Sequence, residues 1–127
     1  MHATTDVRIR IEEREDGIRL AHTSGELDAL GAPVLRECLH ERIFPDHDFV
    51  LDLDEVTFLG SAGMKVLIDT EDNAVRHRLR WALVGNHREV ARPLRATGLA
   101  ARLPLQPTVS TAIGAVAAQR AQPLAAR

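Results

Sequence analysis

The chain of 127 residues has no tyrosine, one tryptophan, three phenylalanines and a single cysteine, Cys38. A lone cysteine excludes an intramolecular disulfide and any cysteine-built metal cage, which suits a reducing compartment and leads to the expectation of a cytoplasmic protein. Uninterrupted apolar runs extend over only a few residues, as in Phe49-Val50-Leu51. They are far short of the roughly 20 needed to cross a bilayer, so no membrane association is expected. The start, Met1-His2-Ala3-Thr4-Thr5-Asp6, lacks the basic stretch and apolar core of a secretion signal. Nor is there an excess of positive charge, with 16 basic against 18 acidic side chains and a formal net charge of -2. Near-neutrality and scarce aromatic rings argue against a nucleic-acid surface, which needs a basic stripe and stacking platforms. The one basic cluster, Arg76-His77-Arg78-Leu79-Arg80, reads as cations at the C-terminal end of a helix, where the macrodipole favours them.

What is present is 45% apolar residues in well-punctuated segments, enough for one domain spanning 1–127 with a core from about 6 to 118 and a frayed tail from 119 to 127. Val7, Ile9 and Ile11 alternate with polar residues, Asp16-Gly17 supplies a tight turn, and Ile18 and Leu20 resume the alternation. Residues 6–23 therefore predict a β-hairpin closed by Ser24-Gly25. Val34, Leu35, Cys38, Leu39 and Ile43 recur at helical spacing behind Pro33, which places Cys38 in the core as an inert thiol. Phe49 to Leu53 reads as a strand covered on both faces. A second helix is expected from about Ala62, with Met64, Leu67, Ile68 and Val75 facing inward, and Trp81 to Val84 as the next strand.

Asn86 is a candidate cap for a third helix carrying Val90 and Leu94 and ending at Thr97-Gly98-Leu99. Pro93 should kink that helix or delay its start. A strand near Arg102–Leu105 and a helix from about Thr108 to Ala118 complete an α/β domain, a mixed sheet of about five strands with about four helices packed against it.

The chemically informative segment runs from Leu51 to Met64, where a buried strand leads through a short bend to Gly60-Ser61-Ala62-Gly63 and a helix. Ser61 has two readings. As an N-cap, its hydroxyl accepts a hydrogen bond from the first turn. As a phosphoacceptor, it would hold an anionic group where the free N–H groups and positive end of a helix favour one. A phosphoryl group there adds about -1.5 to -2 charges, sufficient to expel a partner. The segment is not a Gly-x-Ser-x-Gly nucleophile elbow, and no histidine–acid pair accompanies it in a triad-like context. A receiver-type aspartate at Asp52 or Asp54 lacks the acidic pair needed for magnesium, and Asp52, Asp54 and Glu55 read as a solvated strand end. The six histidines, at 2, 22, 40, 47, 77 and 87, form no ligand pair, so neither a metal nor a cofactor is expected.

Taken in order, Gly25-Glu26-Leu27-Asp28, the strand-bend-helix from Val50 to Met64 and Thr97-Gly98-Leu99 resemble the bacterial anti-sigma factor antagonists of the STAS superfamily over nearly the whole chain. The resemblance implies a non-enzymatic protein that binds an anti-sigma factor, itself a serine kinase with a histidine-kinase-like ATPase fold, and so frees a sigma factor. It also implies that Ser61 is phosphorylated by that kinase and restored by a phosphatase. By the same resemblance, Gly25, Glu26 and Asp28 lie close to the phosphorylation site and, with Gly60, Ser61, Ala62 and Gly63, form the partner-binding surface. In the family's usual motif an aspartate precedes the serine and a Ser or Thr follows it; here those positions are Gly60 and Ala62. That departure favours the other reading, a STAS scaffold or small-ligand-binding module in which Ser61 is only a cap.

Overall fold

A computed structural model describes residues 6–120. The expectations for the first five residues and for the tail beyond 120 lie outside them. Five strands form one sheet: β1 (Arg8–Glu13), β2 (Arg19–Leu27), β3 (Phe49–Leu59), β4 (Trp81–Val84) and β5 (Leu105–Gln106). They lie side by side in sequence order, with β1 antiparallel to β2 and every other neighbour parallel. Four helices connect and follow them: α1 (Gly31–Arg42), α2 (Ser61–Arg76), α3 (Arg88–Ala96) and α4 (Val109–Arg120).

This order dictates where the helices go. Parallel crossovers are right-handed, so a sheet that grows in one direction receives all its crossover helices on the same face. Leu35 and Leu39 of α1, Val66 and Leu67 of α2, and Val90 and Leu94 of α3 accordingly share one core with Ala21, Phe49, Leu51, Leu53 and Leu83. The opposite face would be bare. It is covered over its β3–β5 half by α4, whose Ala112 and Val116 pack on Ile18, Leu20, Val50, Ala82 and Val84. Arg120 closes this layer by donating to Asp48 Oδ2 at 2.8 Å and to the Asp16 carbonyl at 2.6 Å. The last helix thus runs two residues past the expected Ala118.

Several boundaries differ from expectation, each for a local reason. Ser24-Gly25 does not end the hairpin, because Gly25 adopts φ 99 at a bulge and β2 continues to Leu27 beside β3. β3 likewise runs on to Leu59 instead of bending after Leu53. The helical stripe of α1 is narrower than its apolar spacing suggests: Leu35, Leu39 and Ile43 are buried, while Val34 is exposed and Cys38 half-buried. Burial raises the Cys38 thiol pKa, the nearby Arg42 opposing it. In α2 the inward stripe is Gly63, Val66, Leu67, Thr70 and Ala74, which leaves Val75 on the surface, 61% exposed.

α3 starts at Arg88 with His87, not Asn86, at its cap position, and it retains Pro93. Gly98 adopts the expected left-handed conformation, φ 79, and a 3-10 turn at Leu99–Ala101 occupies the approach to a β5 shorter and later than expected. The basic cluster after α2 does sit at its C-terminal end, where Arg76 closes the last turn.

Candidate functional site

The C-terminal ends of β2 and β3 lie side by side, Leu27 opposite Leu59, and the chain leaves both at the same edge of the sheet. A hydrogen bond from the Gly60 N–H to the Leu27 carbonyl, 3.1 Å, fastens the two exits together. Asp28 follows one and Ser61 follows the other. The two sequence segments, more than thirty residues apart, therefore meet because a parallel pair brings both carboxyl ends to one place, where open α/β sheets collect their sites.

Asp28 is half-buried and its carboxylate is engaged. Oδ1 accepts from the N–H groups of Leu30, 3.0 Å, and Gly31, 2.8 Å, and its backbone carbonyl accepts from Ala32, 2.9 Å. Asp28 thus satisfies the open end of α1, a structural role that sequence reasoning did not give it. Glu26 beside it is exposed, and Gly25 is buried against the backbone of Asp6 and Val7.

Ser61 is exposed, at the first position of α2. The cap position is Gly60, extended at φ -94 and ψ -174, whose carbonyl accepts from Met64 N at 3.0 Å. No side chain caps this helix. The expectation that Ser61 serves as N-cap is therefore corrected: the helix begins one residue earlier than the serine pattern indicates. The Ser61 hydroxyl makes no hydrogen bond among the described residues. Ala62 is half-buried, and Gly63 is buried so tightly that a Cβ there would lie 2.7 Å from the Leu27 carbonyl oxygen and 2.7 Å from Leu59 Cδ1. Gly63 is what lets the first turn of α2 rest on the end of β2.

Two features of this edge were not read from the sequence. Phe58 is 49% exposed, and its ring lies over Gly60, where a Cβ would sit 2.8 Å from Cε2. Leu30, at the start of α1, is 50% exposed. Alternation gave no signal for Phe58, because Thr57 and Phe58 are both exposed between buried Val56 and Leu59.

The remaining acidic positions divide. Asp54 and Glu55 are exposed, but Asp52 is half-buried, accepting from the Asp54 N–H at 3.0 Å and pairing with His22 Nδ1 at 2.9 Å. The expected solvated strand end is therefore corrected: all three lie inside the longer β3, with Asp54 and Glu55 exposed and Asp52 half-buried. Among the described residues no group of three His, Cys, Asp or Glu side chains is placed to hold a metal ion, and no helix is long and apolar enough to cross a membrane.

Comparison with known proteins places this geometry. The sequence matches the STAS domain family over residues 9–112. It is 27% identical over 100 residues to the anti-sigma-F factor antagonist RsfB of Mycobacterium tuberculosis, covering 78% of this chain and 80% of that protein. Among solved structures, an anti-sigma factor antagonist from Mycobacterium paratuberculosis superimposes with a TM-score of 0.78 at 30% identity, over 91% of this chain and 98% of that one. A protein of Thermotoga maritima, titled a putative anti-sigma factor antagonist, shares the fold with a TM-score of 0.77 at 19% identity, over 85% and 93% of the two chains. With its sheet order, its strand-to-helix junction and this match over most of its length, the chain belongs to the STAS domain family.

Proposed function

We propose that this chain is an anti-sigma factor antagonist, a binding protein and not an enzyme, whose docking surface is the shared exit of β2 and β3. Gly25, Glu26 and Asp28 supply one side of that surface and Gly60, Ser61, Ala62 and Gly63 the other. The partner is an anti-sigma factor with a histidine-kinase-like ATPase fold, and its capture releases a sigma factor. The same partner ends the complex by phosphorylating Ser61: the serine oxygen attacks the γ-phosphorus of ATP, ADP departs, and the hydroxyl proton passes to a base of the kinase. A phosphatase restores the serine.

The observation that carries this reading is the free, exposed hydroxyl of Ser61 at the uncapped start of α2. A serine employed as a cap would lose its bond on modification; this one loses nothing. The phosphoryl group would find the unpaired N–H groups and positive end of α2, so the fold tolerates it. It would still bring about -1.5 to -2 charges to a surface formed by small residues and the ring of Phe58. The chain supplies no catalytic group and needs no cofactor; it is the substrate of its partner.

The test is capture from a lysate of the source organism by wild type, Ser61→Ala and Ser61→Asp, with mass spectrometry of the partners and of Ser61. A histidine-kinase-like ATPase held by the first two and not by the aspartate variant, with phosphate found on wild-type Ser61, is the expected result. Equal capture by all three and no phosphate would refute the switch and leave a scaffold of the same family.

A further inference from the structure

α3 presents an arginine stripe to solvent. Arg88, Arg92 and Arg95 are all exposed, and their spacing of four and three residues puts them on one face of the helix. None makes a side-chain hydrogen bond or ion pair among the described residues. Glu89 is the helix's only acidic residue, and its carboxylate lies 4.0 Å from His87 Nε2. Several arginines elsewhere are paired, Arg19 with Glu13 at 2.6 Å, Arg36 with Asp69 at 2.7 Å and Arg120 with Asp48 at 2.8 Å, and the unpaired ones, such as Arg42 and Arg102, do not form a stripe along one helix. The α3 stripe repels itself instead, and Arg88 stands in the first helical turn, where the macrodipole disfavours a cation.

Beside the arginines lies an open groove of about 620 Å3 lined by Asn86, Ala91 and Ala96 together with the three arginines. The small alanines in the lining leave room for a second chain, and the guanidinium forks offer planar donor pairs suited to carboxylates. The helix is held in place beneath it. His87 Nε2 lies 2.6 Å from the Val56 carbonyl, and Val90 and Leu94 are buried completely.

We infer that the Arg88-Arg92-Arg95 face of α3 docks an acidic segment of a protein partner. The length of the stripe decides against a single small anion: Arg88 to Arg95 spans about 10 Å along the helix at 1.5 Å per residue, whereas one phosphate requires donors that converge on a point. Carboxylates repeated along a peptide match it. Nucleic acid is disfavoured by the surroundings, since the groove has no aromatic residue to stack a base and a longer polyanion would run onto a chain of net charge -2. The stripe is electrostatically complete without Ser61, so its occupancy does not depend on Ser61 being a switch.

The probe is a fluorescent synthetic peptide carrying glutamates at the same four- and three-residue spacing, titrated into the full chain at low salt and followed by anisotropy. Competitors are an unlabelled peptide of the same composition with its glutamates bunched together, and a short DNA duplex. Two variants are compared with wild type: Arg88→Gln/Arg92→Gln/Arg95→Gln, and a control of equal charge change, Arg76→Gln/Arg78→Gln/Arg102→Gln, with Trp81 fluorescence confirming that both are folded. Saturable wild-type binding, weakened about tenfold or more in the α3 variant and retained by the control, is the expected result. Absence of saturable binding, equal weakening in both variants, or more effective displacement by the duplex or the bunched peptide than by the spaced peptide would overturn the inference.

Discussion

Replacing Asp28 tests whether its carboxylate holds the start of α1 by geometry or by charge. In the folded chain one oxygen accepts from two N–H groups, at 3.0 and 2.8 Å, that no helical carbonyl reaches. Loss of a capping side chain costs about 0.5 to 2 kcal/mol, and an ionised acceptor serving two donors belongs in the upper half of that range. Asp28→Ala should therefore lose about 1.5 kcal/mol. Asp28→Asn keeps an oxygen in the same place and loses only the charge at the helix start, about 0.5 kcal/mol. In urea, with a slope of about 1.5 kcal/mol/M, the midpoints should fall by about 1 M for alanine and about 0.3 M for asparagine, with the slope unchanged. Trp81 reports the transition, as the chain's one tryptophan, 3% exposed, stacked on Phe49 and donating to Glu71 at 2.8 Å. An alanine midpoint indistinguishable from wild type would refute the capping role, and an asparagine variant as weak as alanine would refute the division between geometry and charge. Both variants stay folded without denaturant, since domains have about 5 to 15 kcal/mol to lose. Calorimetric titration with the anti-sigma factor then measures the carboxylate's separate part in docking, and weaker binding by both is expected.

Two further outcomes follow from packing and from charge. Gly31→Ala should destabilise by about 3 kcal/mol, because the added Cβ would lie 1.9 Å from the Glu26 carbonyl oxygen and 2.6 Å from Val7 Cγ2; Gly114→Ala, with nothing within 4 Å, should gain about 0.5 to 1 kcal/mol from helix propensity. Thermal midpoints that fail to move in opposite directions would refute this. Lys65 and Arg36, bonded to Asp69 at 2.8 and 2.7 Å, hold its carboxyl below the ordinary value of 3.8. The folded group therefore stays ionised at lower pH than the unfolded one, so its pairs stabilise above about pH 3.8 and that contribution fades as the pH falls further. Asp69→Asn should flatten this part of the acid limb of a stability–pH profile, and an unchanged limb would contradict it.

The parts of the fold that were legible in the sequence are those where one signal acts alone. Phe49 to Leu53, interrupted only by Asp52, and Trp81 to Val84 are nearly continuous apolar runs, and both are central strands with buried faces on either side. The outer half of β3 was hidden because two register shifts against β2 break the alternation, giving an order of buried and exposed residues with no period of two. Glycine punctuation misled in the same place: Gly25 reads as a terminator but serves as a bulge that lets β2 continue. The position of Ser61 at a strand-to-helix junction was readable from pattern. Its relation to Asp28 rested on family resemblance, because only strand pairing brings the two exits together. The capping assignment failed because a serine before an amphipathic run looks the same whether the helix begins after it or with it. The arginine stripe was present as letters, but helical phase and the absence of an ion pair to it among the described residues are what make it a surface.

Gly60 and Phe58 are best understood as one feature. The family resemblance places an aspartate where this chain has Gly60, and the absence of a Cβ there is what admits the Phe58 ring to within 2.8 Å of that site. A side chain at position 60 would have to push the ring aside, and the half-exposed ring has room to move. The change therefore does more than remove a charge beside Ser61: it substitutes an aromatic surface for a carboxylate at the same spot. Exposed aromatic rings on a rigid strand end contribute to binding through desolvation, whereas a rim carboxylate acts mainly on association rate and salt dependence. Docking at this edge should then depend on Phe58 more than on ionic strength, while a phosphoryl group on Ser61 would place charge against the ring that had replaced it.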